Sequence, residues 1–567
     1  MSEIKLDAYL FCRLKQLGIQ SVFGVPGDYE LALLDLVAEN GLTWRGNPNE
    51  LVASYAADAY GRVNGAAAFV STFGPGELSA YCGVAGQYTE YVPAVHIIGY
   101  PGVSAMKAGA IMHHTLGDGK FTFCHEMTKH ITVASAILDD PASAPAAIDK
   151  VLTAMMIESR PVYLGVPADL AHYPISSKNL QTPLNVTLPP DDTEVTEATV
   201  KEIRSLIDNA KSPILVIDGC THRNRCVEEA HELQTLSGLP TFVTSMGKGT
   251  ALEDLPNYGG VYAGAGTHAA IKDVVESADF VLWLGRYGSD FNTSEFTMNV
   301  AEDKIVDLQR FYATIAGRKV DQKMEYLLKA LIENIQAKPL AQAKQVTWEP
   351  YPLRNLPAVG PLTQDFLWNA LSKFFQPGDC IIGETGTSAF GLGDSYMPKG
   401  SFYFNQTIWG SIGYATGAIV GACQAIKEGS GGFKRGILVT GEGSLHLTAQ
   451  AIADLLRYDL KPIIFILNNG GYTVERLIHG KTESYNDVAQ WDYANMAKTF
   501  GPAFPSKYHG PIKTNEELVK LIESGAARED CFQVVEVTLA PLDAPKSVLL
   551  TGAAIDEFNK QKTLPGA

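Results

Sequence analysis

The chain has 567 residues, of which 46% are hydrophobic and 19% charged, with 53 glycines and 30 prolines. This length and composition predict a globular protein of about three to four domains and exclude a disordered, collagen-like or coiled-coil chain. The 45 basic and 62 acidic residues give a net charge of −17, which disfavours nucleic acid or an anionic membrane surface as a partner.

The eight cysteines are scattered and form no CxxC pair, so they indicate neither a zinc site nor a disulfide framework. The first residues include acidic side chains and lack the apolar segment of a secretory signal, so we expect a cytoplasmic protein. The stretch Phe404 to Ile426 is uncharged and long enough to span a membrane, but it is crowded with small and polar residues. We predict a loop and a closely packed helix there, and no membrane partner.

Short apolar runs rich in β-branched residues recur along the chain, each followed by a glycine-containing turn and a helical pattern. Continuous apolar strands that alternate with helices are typical of parallel sheets covered on both faces, so the predicted fold class is α/β. The predicted strands are, in chain order, Ala67–Phe73, Ala94–Gly99, Pro161–Val166, Pro213–Ile217, Asp279–Gly285, Ile437–Thr440 and Pro462–Leu467.

Two stretches of low periodicity that contain several prolines, Leu180–Thr196 and Lys338–Pro361, are predicted to be extended linkers. They divide the chain into predicted domains at residues 1–185, 190–345 and 355–567. The two outer domains can share one fold although their sequences show no visible similarity.

The strongest chemical signal lies in the last predicted domain, at the ends of two successive strands. One strand ends in Val439–Ser444, with the sequence VTGEGS, and the next in Phe465–Tyr472, with the sequence FILNNGGY. Glu442 and Asn469 are 27 positions apart, which matches one βαβ crossover, so both strand ends are predicted to meet at the carboxyl edge of the sheet. Backbone N–H groups beside a carboxylate suit a diphosphate bridged by a divalent cation. Oxygen ligands from Glu442, Asn469 and a loop carbonyl, assigned to Gly471, suit Mg²⁺.

This pair of turns resembles the thiamine diphosphate motif, in which Gly-Asp-Gly is followed by Asn-Asn after about one βαβ unit. Either turn alone is also typical of an ordinary strand end, and only the combination is specific. The chain departs from the motif at Glu442, which stands where aspartate is usual. Because Mg²⁺ requires tight octahedral geometry, the longer side chain can ligate it only if the loop backs away slightly.

The resemblance extends over nearly the whole chain, to 2-oxo acid decarboxylases of the fungal pyruvate decarboxylase type. The further stretches that carry it are Phe23–Asp28, Asn49–Leu51, His113–Gly117, Gly383–Phe390, Trp409–Gly413 and Gly471–Gly480. It implies three doubly wound parallel-sheet domains, with thiamine diphosphate and Mg²⁺ bound between the first domain of one subunit and the third domain of another. A homodimer is then the minimal active unit, and a homotetramer is the expected assembly.

Decarboxylation of a 2-oxo acid leaves a carbanion that no side chain can delocalise, so a cofactor must act as the electron sink. The resemblance implies non-oxidative decarboxylation of pyruvate to acetaldehyde and CO₂, through a thiamine diphosphate ylid and an enamine. Glu50 matches the glutamate that activates the cofactor, and Ile412 matches the aliphatic wedge that bends it. From the residues alone, Glu50 is equally a first-turn carboxylate that complements a helix dipole, and Ile412 is equally a core residue.

Asp28, His113, His114 and Glu475 match the family's proton-transfer groups. The resemblance assigns Asp28 and His114 to protonation of the enamine and release of the aldehyde, Glu475 to decarboxylation, and His113 to a supporting role. Taken singly, the simpler alternatives are a turn residue, a surface histidine pair and a solvated helix acid.

The remaining matches are assigned to binding. Contacts to the aminopyrimidine ring are assigned to Thr385, Thr387, Gly410, Ser411 and Ile412, and contacts to the diphosphate and metal to Gly443, Ser444, Asn469, Gly470, Gly471, Tyr472, Thr473 and Val474. The substrate pocket is assigned to Phe291, Ala389, Val474 and Ile478. Because Ala389 and Val474 are small, and one methylene of pocket space changes binding by only about 1–3 kcal/mol, a larger branched or aromatic 2-oxo acid is the alternative substrate.

Cys220 lies where fungal relatives place a cysteine linked to activation by substrate, but Tyr91 replaces the histidine of the proposed relay. We therefore expect Cys220 to be an inert apolar residue. A non-catalytic paralogue that keeps the fold is a further alternative, favoured only by Glu442. A nucleotide-binding oxidoreductase is disfavoured, because Gly74-Pro75-Gly76 lacks the third glycine and the acidic strand end that such a site requires.

Overall fold

The computed structural model describes residues 3–341 and 356–561. Within these ranges the chain forms two six-stranded sheets, one seven-stranded sheet and a short two-stranded ribbon. Each large sheet is accompanied by helices that alternate with its strands. The predicted α/β class with three parallel-sheet domains is therefore confirmed.

The first sheet is parallel throughout and has the strand order β3-β2-β4-β5-β7-β6. Strand β1 lies outside it and pairs antiparallel with β8. The strands of this domain are β1 (Glu3–Lys5), β2 (Ser21–Gly24), β3 (Thr43–Gly46), β4 (Ala67–Thr72), β5 (Ala94–Tyr100), β6 (Ser135–Ile137), β7 (Val162–Pro167) and β8 (Pro174–Ser176). Its helices are α1 (Leu6–Gln16), α2 (Leu31–Glu39), α3 (Glu50–Asn64), α4 (Pro75–Thr89), α5 (Val103–Lys107), α6 (Phe123–Thr128) and α7 (Ala144–Glu158).

The middle sheet has the order β11-β10-β9-β12-β13-β14-β15. At one edge, β14 pairs antiparallel with both β13 and β15. Its strands are β9 (Pro213–Ile217), β10 (Thr241–Val243), β11 (Tyr258–Val261), β12 (Phe280–Leu284), β13 (Ile305–Leu308), β14 (Ala313–Ile315) and β15 (Arg318–Val320). Its helices are α8 (Thr193–Asn209), α9 (Gly219–Arg223), α10 (Val227–Ser237), α11 (Ala269–Ser277), α12 (Asp290–Thr293) and α13 (Met324–Ala337).

The third sheet is parallel and has the order β17-β16-β18-β19-β21-β20, which repeats the order of the first sheet. Its strands are β16 (Asp379–Gly383), β17 (Phe402–Phe404), β18 (Arg435–Gly441), β19 (Ile463–Asn468), β20 (Ser506–Ile512) and β21 (Phe532–Thr538). Its helices are α14 (Gln364–Phe374), α15 (Thr387–Gly393), α16 (Tyr414–Lys427), α17 (Glu442–Thr448), α18 (Ala451–Arg457), α19 (Thr473–Ile478), α20 (Met496–Phe500), α21 (Asn515–Ser524) and α22 (Lys546–Gln561).

Every predicted strand overlaps a strand of the structure, and the uncharged stretch after Phe404 is a loop followed by helix α16, as predicted. No helix in the described part of the chain combines the length and the apolar character needed to cross a membrane.

The predicted linker Leu180–Thr196 is wrong at its end, because helix α8 begins at Thr193. The carboxylate of Asp192 caps this helix by accepting hydrogen bonds from the amides of Glu194 (2.9 Å) and Val195 (3.2 Å), which is the preferred arrangement at a helix N-terminus. Much of the second predicted linker, together with the predicted boundaries at 345 and 355, lies outside the described residues.

Helices α3 and α16 pack closely and join the first and third domains. They occupy equivalent places in the two sheets, since each lies between the second and third strands of its sheet in chain order. A Cβ atom on Gly421 would lie 1.7 Å from the Ala56 carbonyl oxygen, and one on Gly417 would lie 2.8 Å from the Tyr55 Cβ. The hydroxyl of Tyr414, at the start of α16, also donates to the buried carboxylate of Asp58 in α3.

This contact predicts that Gly421→Ala destabilises the protein by about 3 kcal/mol or more, because the added methyl group forces the helix backbones apart. The free energy of unfolding in denaturant measures the effect. The matched control is Gly552→Ala in helix α22, where a Cβ meets nothing within 4 Å and the change is expected to be neutral or stabilising. Equal stability of both variants and the parent chain would contradict the proposed close packing.

Candidate active site

The ends of strands β18 and β19 meet at the carboxyl edge of the third sheet, as predicted. One carboxylate oxygen of Glu442, Oε1, accepts hydrogen bonds from the amides of Asn469 (3.2 Å) and Gly471 (2.8 Å). Glu442 is 1% exposed, and this burial raises the pKa of its carboxyl group. The longer side chain therefore reaches the neighbouring loop and binds its backbone.

The donor set at this edge fits a divalent cation and a diphosphate. The Asn469 side-chain oxygen Oδ1 is buried without a hydrogen-bond partner, which is costly unless a ligand satisfies it. The backbone amide of the same residue donates to the Glu442 carboxylate, and carboxylate and amide oxygens are hard ligands of the kind that Mg²⁺ prefers. A side chain at Gly471 would collide with the Asn486 carbonyl oxygen at 2.1 Å, and one at Gly443 with the Tyr472 ring at 2.6 Å, so both turns require glycine.

A cavity of about 350 Å³ lies next to this edge, between the third and middle domains. Its wall includes Thr385, Ala389, Gly410, Ile412, Glu475 and Phe291 from the predicted site residues. Ile412 is only partly buried, so it is a wall residue of the cavity and not a residue of the core. Glu475 is on helix α19, which begins directly after the Asn469–Tyr472 turn.

The other predicted binding residues lie close to this cavity but not in its wall. Thr387 is buried at the start of helix α15, and Val474 approaches the backbone at Gly386, where an added Cβ would lie 3.9 Å from its side chain. Ile478 is 41% exposed. The Thr473 hydroxyl donates to the Pro541 carbonyl at 2.9 Å, and Ser444 and Gly470 flank the Glu442 contact in the two turns.

The side chain of Ser411 points into the interface between domains. Its hydroxyl lies 2.6 Å from the Tyr55 hydroxyl of helix α3, and its amide donates to the side chain of Gln406 at 2.8 Å. These bonds fix the backbone of the Gly410–Ile412 loop. The structure thus gives Ser411 a role in positioning the loop.

Glu384 lies at the site, although the sequence motifs assign no role to it. It follows strand β16, is completely buried, and accepts hydrogen bonds from the amides of Thr385 (3.0 Å) and Ala415 (3.1 Å). Burial raises the pKa of the Glu384 carboxyl group to about 7. This side chain holds Thr385 against the start of helix α16.

Two further parts of the cavity wall consist of residues that no sequence motif marks as part of a site. The middle domain contributes Thr267 and Ser294, and helix α22 contributes Ser547 and Thr551. The hydroxyl groups of Ser294 and Thr551 lie 3.1 Å apart and tie the two elements together. Only the folded chain brings these segments to the cavity.

Asp28 and His113 form a pair at the carboxyl edge of the first sheet. Asp28 Oδ2 lies 2.8 Å from His113 Nε2, and both side chains are 54% exposed. The Tyr29 ring stacks on the His113 ring with a centroid distance of 4.9 Å. The ring of His113 is therefore held between Asp28 and Tyr29.

His114 is held in one orientation beside this pair. Its φ angle is +66°, a left-handed conformation that is uncommon outside glycine and concentrates at functional sites. His114 Nδ1 lies 3.2 Å from the Phe73 carbonyl oxygen, and because a carbonyl only accepts, Nδ1 carries the hydrogen. Nε2 is then left for proton transfer.

Glu50 is the first residue of helix α3, whose N-terminus is capped by Asn49 through a 2.8 Å hydrogen bond from the Val52 amide. Burial raises the pKa of the Glu50 carboxyl group above its ordinary value. A Cβ atom on Gly76, in helix α4, would lie 3.1 Å from Glu50 Oε1. The Glu50 carboxylate therefore reaches the start of helix α4.

The predicted site residues thus form two separate groups within one chain. Asp28, His113, His114 and Glu50 belong to the first domain and are absent from the wall of the cavity that Glu475 lines. The loop of the histidine pair also carries two strongly exposed apolar residues, Ile111 (71%) and Leu116 (69%).

Cys220 is 5% exposed, and burial raises the pKa of its thiol to about 12. A thiol with such a pKa stays protonated at neutral pH and is a poor nucleophile.

Comparison with known proteins gives three family matches. They are the thiamine pyrophosphate enzyme N-terminal TPP binding domain over residues 4–120, the central domain over residues 200–335 and the C-terminal TPP binding domain over residues 384–537. Pyruvate decarboxylase isozyme 3 of Saccharomyces cerevisiae is 40% identical over 555 residues, which cover 97% of this chain and 98% of that protein. The pyruvate decarboxylases of Candida glabrata and Kluyveromyces lactis are 41% and 40% identical with the same coverage. The chain therefore belongs to the pyruvate decarboxylase family of thiamine pyrophosphate enzymes.

Proposed function

We propose that the protein catalyses the non-oxidative decarboxylation of pyruvate to acetaldehyde and CO₂. The observation that carries the proposal is the contact of Glu442 with the Asn469–Gly471 turn, next to a cavity lined by Glu475. The names of the relatives support pyruvate as the substrate. Thiamine diphosphate, when bound, supplies the electron sink that this reaction requires.

Mg²⁺ is the second cofactor of the proposal, with Glu442, Asn469 and Gly471 as its ligands. The unpartnered Oδ1 of Asn469 supports this assignment, because a buried oxygen that lacks a donor is well suited to a cation. The Glu442 carboxylate already holds this turn through the amides of Asn469 and Gly471.

The proton-transfer steps are assigned to side chains whose surroundings suit them. The raised pKa of Glu50 lets its carboxyl group exchange a proton at a pH where an exposed glutamate is ionised. His114 moves a proton at Nε2 because its Nδ1 is bound to a carbonyl. Asp28 and His113 share a hydrogen bond beside it, and Glu475 acts from the cavity wall. Such acid–base groups typically contribute about 10²–10⁴-fold to the rate.

A homodimer is the proposed minimal active unit, and a homotetramer is the proposed assembly. The proton-transfer group of the first domain is separate from the cavity that Glu475 lines, so a second copy is needed to bring the two groups together. Ile111 and Leu116 beside the histidine pair, and Trp409 beside the cavity, are exposed apolar side chains. Such residues are enriched where a surface is covered by a partner.

We also propose a cytoplasmic location. All eight cysteines belong to the described residues and are free thiols, which suits a reducing compartment.

The proposed reaction is tested with the purified protein. Purified protein should form aldehyde from pyruvate only when both thiamine diphosphate and Mg²⁺ are added, and faster than from 3-methyl-2-oxobutanoate or phenylpyruvate. An assay of aldehyde and CO₂ measures this. Faster turnover of a larger acid would shift the assignment to a broad-range decarboxylase, and no turnover by a folded dimer would favour a non-catalytic paralogue.

Mixing two inactive variants tests whether the active site is shared between subunits. Glu50→Gln and Glu475→Gln should each abolish most activity alone. When the two variants are mixed and reassociated at random, about one quarter of the parent activity should return, because half of the dimers are mixed and each mixed dimer has one intact site. If both groups act within one chain, mixing restores nothing. Each variant reassociated with itself is the control.

Two substitutions of Glu442 test its role in Mg²⁺ binding and in stability. Glu442→Gln should weaken Mg²⁺ binding by about tenfold or more, since a charged ligand is lost. Glu442→Asp should lower the unfolding free energy of the metal-free protein by about 1–3 kcal/mol, because the shorter side chain loses bonds to the amides of Asn469 and Gly471. Calorimetric Mg²⁺ titration and denaturant unfolding measure the two effects. Glu483→Asp, at an exposed position nearby, is the control, and equal stability of both aspartate variants would contradict the role of the amide contacts.

A further inference from the structure

We propose that Asp28, His113 and His114 form a second cation site, which binds a zinc-class transition metal. Each of the three side chains offers one ligand atom, and these atoms lie within 4.8 Å of one another. Two imidazoles and one carboxylate are a recurrent ligand set for Zn²⁺ when a fourth position is left for water or substrate.

One pair of ligand atoms is near the spacing that such a metal requires. Zn²⁺ binds nitrogen at about 2.0–2.1 Å and oxygen at about 2.0–2.2 Å, so neighbouring ligands of a tetrahedral site lie about 3.3 Å apart. Asp28 Oδ2 and His113 Nε2 are 2.8 Å apart and need to separate only slightly. All three residues lie on turns at one sheet edge, and the half-exposed side chains of Asp28 and His113 have room to make this small adjustment.

The outer hydrogen bonds are those that orient metal-binding histidines. A ligating imidazole usually donates its other ring N–H to a carbonyl, a carboxylate or water. His114 Nδ1 donates to the Phe73 carbonyl at 3.2 Å, and His113 Nδ1 lies 3.4 Å from the Tyr29 hydroxyl. In His114, Nε2 is the atom left to bind a metal, and in His113, Nε2 binds the metal by giving up its hydrogen bond to Asp28.

The backbone beneath His114 is also fixed. The amide of Gly74 donates to Glu77 Oε1 at 2.9 Å, and a Cβ atom on Gly74 would lie 2.2 Å from the His114 carbonyl oxygen. The other Glu77 oxygen accepts from the hydroxyl of Tyr163 at 2.8 Å. Glu77 therefore anchors the turn on which His114 rests, so the backbone of this ligand is positioned before a metal arrives.

This site differs in chemistry from the proposed Mg²⁺ site. Imidazole ligands favour zinc, copper, nickel and cobalt, whereas carboxylate and carbonyl oxygens favour Mg²⁺. The two sites therefore select different cations. Occupation of the second site engages Asp28, His113 and His114 together, and the expected consequence is reversible inhibition of the decarboxylase. The inhibition rests on the proposed function, but the binding of the metal does not.

The test is a titration of the holoenzyme, saturated with thiamine diphosphate and Mg²⁺, with Co²⁺ as a spectroscopic substitute for Zn²⁺. We expect one Co²⁺ per chain with the visible absorption of a four-coordinate site, displaced by Zn²⁺. His114→Ala and His113→Ala should each weaken Co²⁺ binding by more than about tenfold. His130→Ala, at an exposed histidine of the same domain, and Glu442→Gln should leave this absorption unchanged.

Absence of the absorption, or its persistence in His114→Ala, would overturn the proposal. Its loss in Glu442→Gln would also overturn it, because the metal would then be at the Mg²⁺ site. In the wild-type enzyme, Zn²⁺ should lower kcat/KM by more than about tenfold while thiamine diphosphate stays bound, and a chelator should restore activity. If Co²⁺ binds as expected but Zn²⁺ leaves turnover intact, the metal site stands and the assigned roles of the three side chains fail.

Discussion

The packing of helix α3 on helix α16 is the constraint on which the rest of the arrangement depends. The Ala56 carbonyl lies so close to Gly421 that no side chain fits between the two backbones. Helix α3 begins at Glu50, and helix α16 begins directly after the Gly410–Gly413 loop. The contact therefore fixes Glu50 and this loop, both predicted parts of the site, relative to each other, and it does so with small residues whose replacement leaves little room for adjustment.

The carboxyl edges of the two outer sheets then supply the polar groups. In the third domain, Glu442 joins the ends of two neighbouring strands by binding the backbone of the Asn469–Gly471 turn. Glu442 has one methylene more than the usual aspartate, and this extra length lets its carboxylate reach the turn. In the first domain, the segments that follow β2 and β5 bring Asp28 beside the two histidines. The same strand order thus produces two different edges, one suited to a cation and a diphosphate and one suited to proton transfer.

Local patterns made much of this predictable. The apolar strands are continuous runs, and the motif around Glu442 and Asn469 combines two strand ends with the spacing of one crossover, so sequence alone placed them together. Contacts between residues that are far apart in the sequence leave no local pattern from which they can be predicted. The partner of Ser411 is Tyr55, which is 356 positions away, and Glu384 reaches Ala415 across 31 positions. The start of helix α8 was missed because its cap, Asp192, stands in a stretch whose prolines indicate a linker. The wall contributed by helix α22 has no motif at all.

The central claim is that the reaction site joins the Glu442 edge of one copy to the Glu50 edge of another. A crystal structure of the protein with thiamine diphosphate and Mg²⁺ tests it most directly. We expect a homodimer or larger assembly in which the metal contacts Glu442 and Asn469, and the aminopyrimidine ring contacts Glu50 of a second copy. A cofactor whose contacts all come from a single chain, or a metal that avoids Glu442, would contradict it.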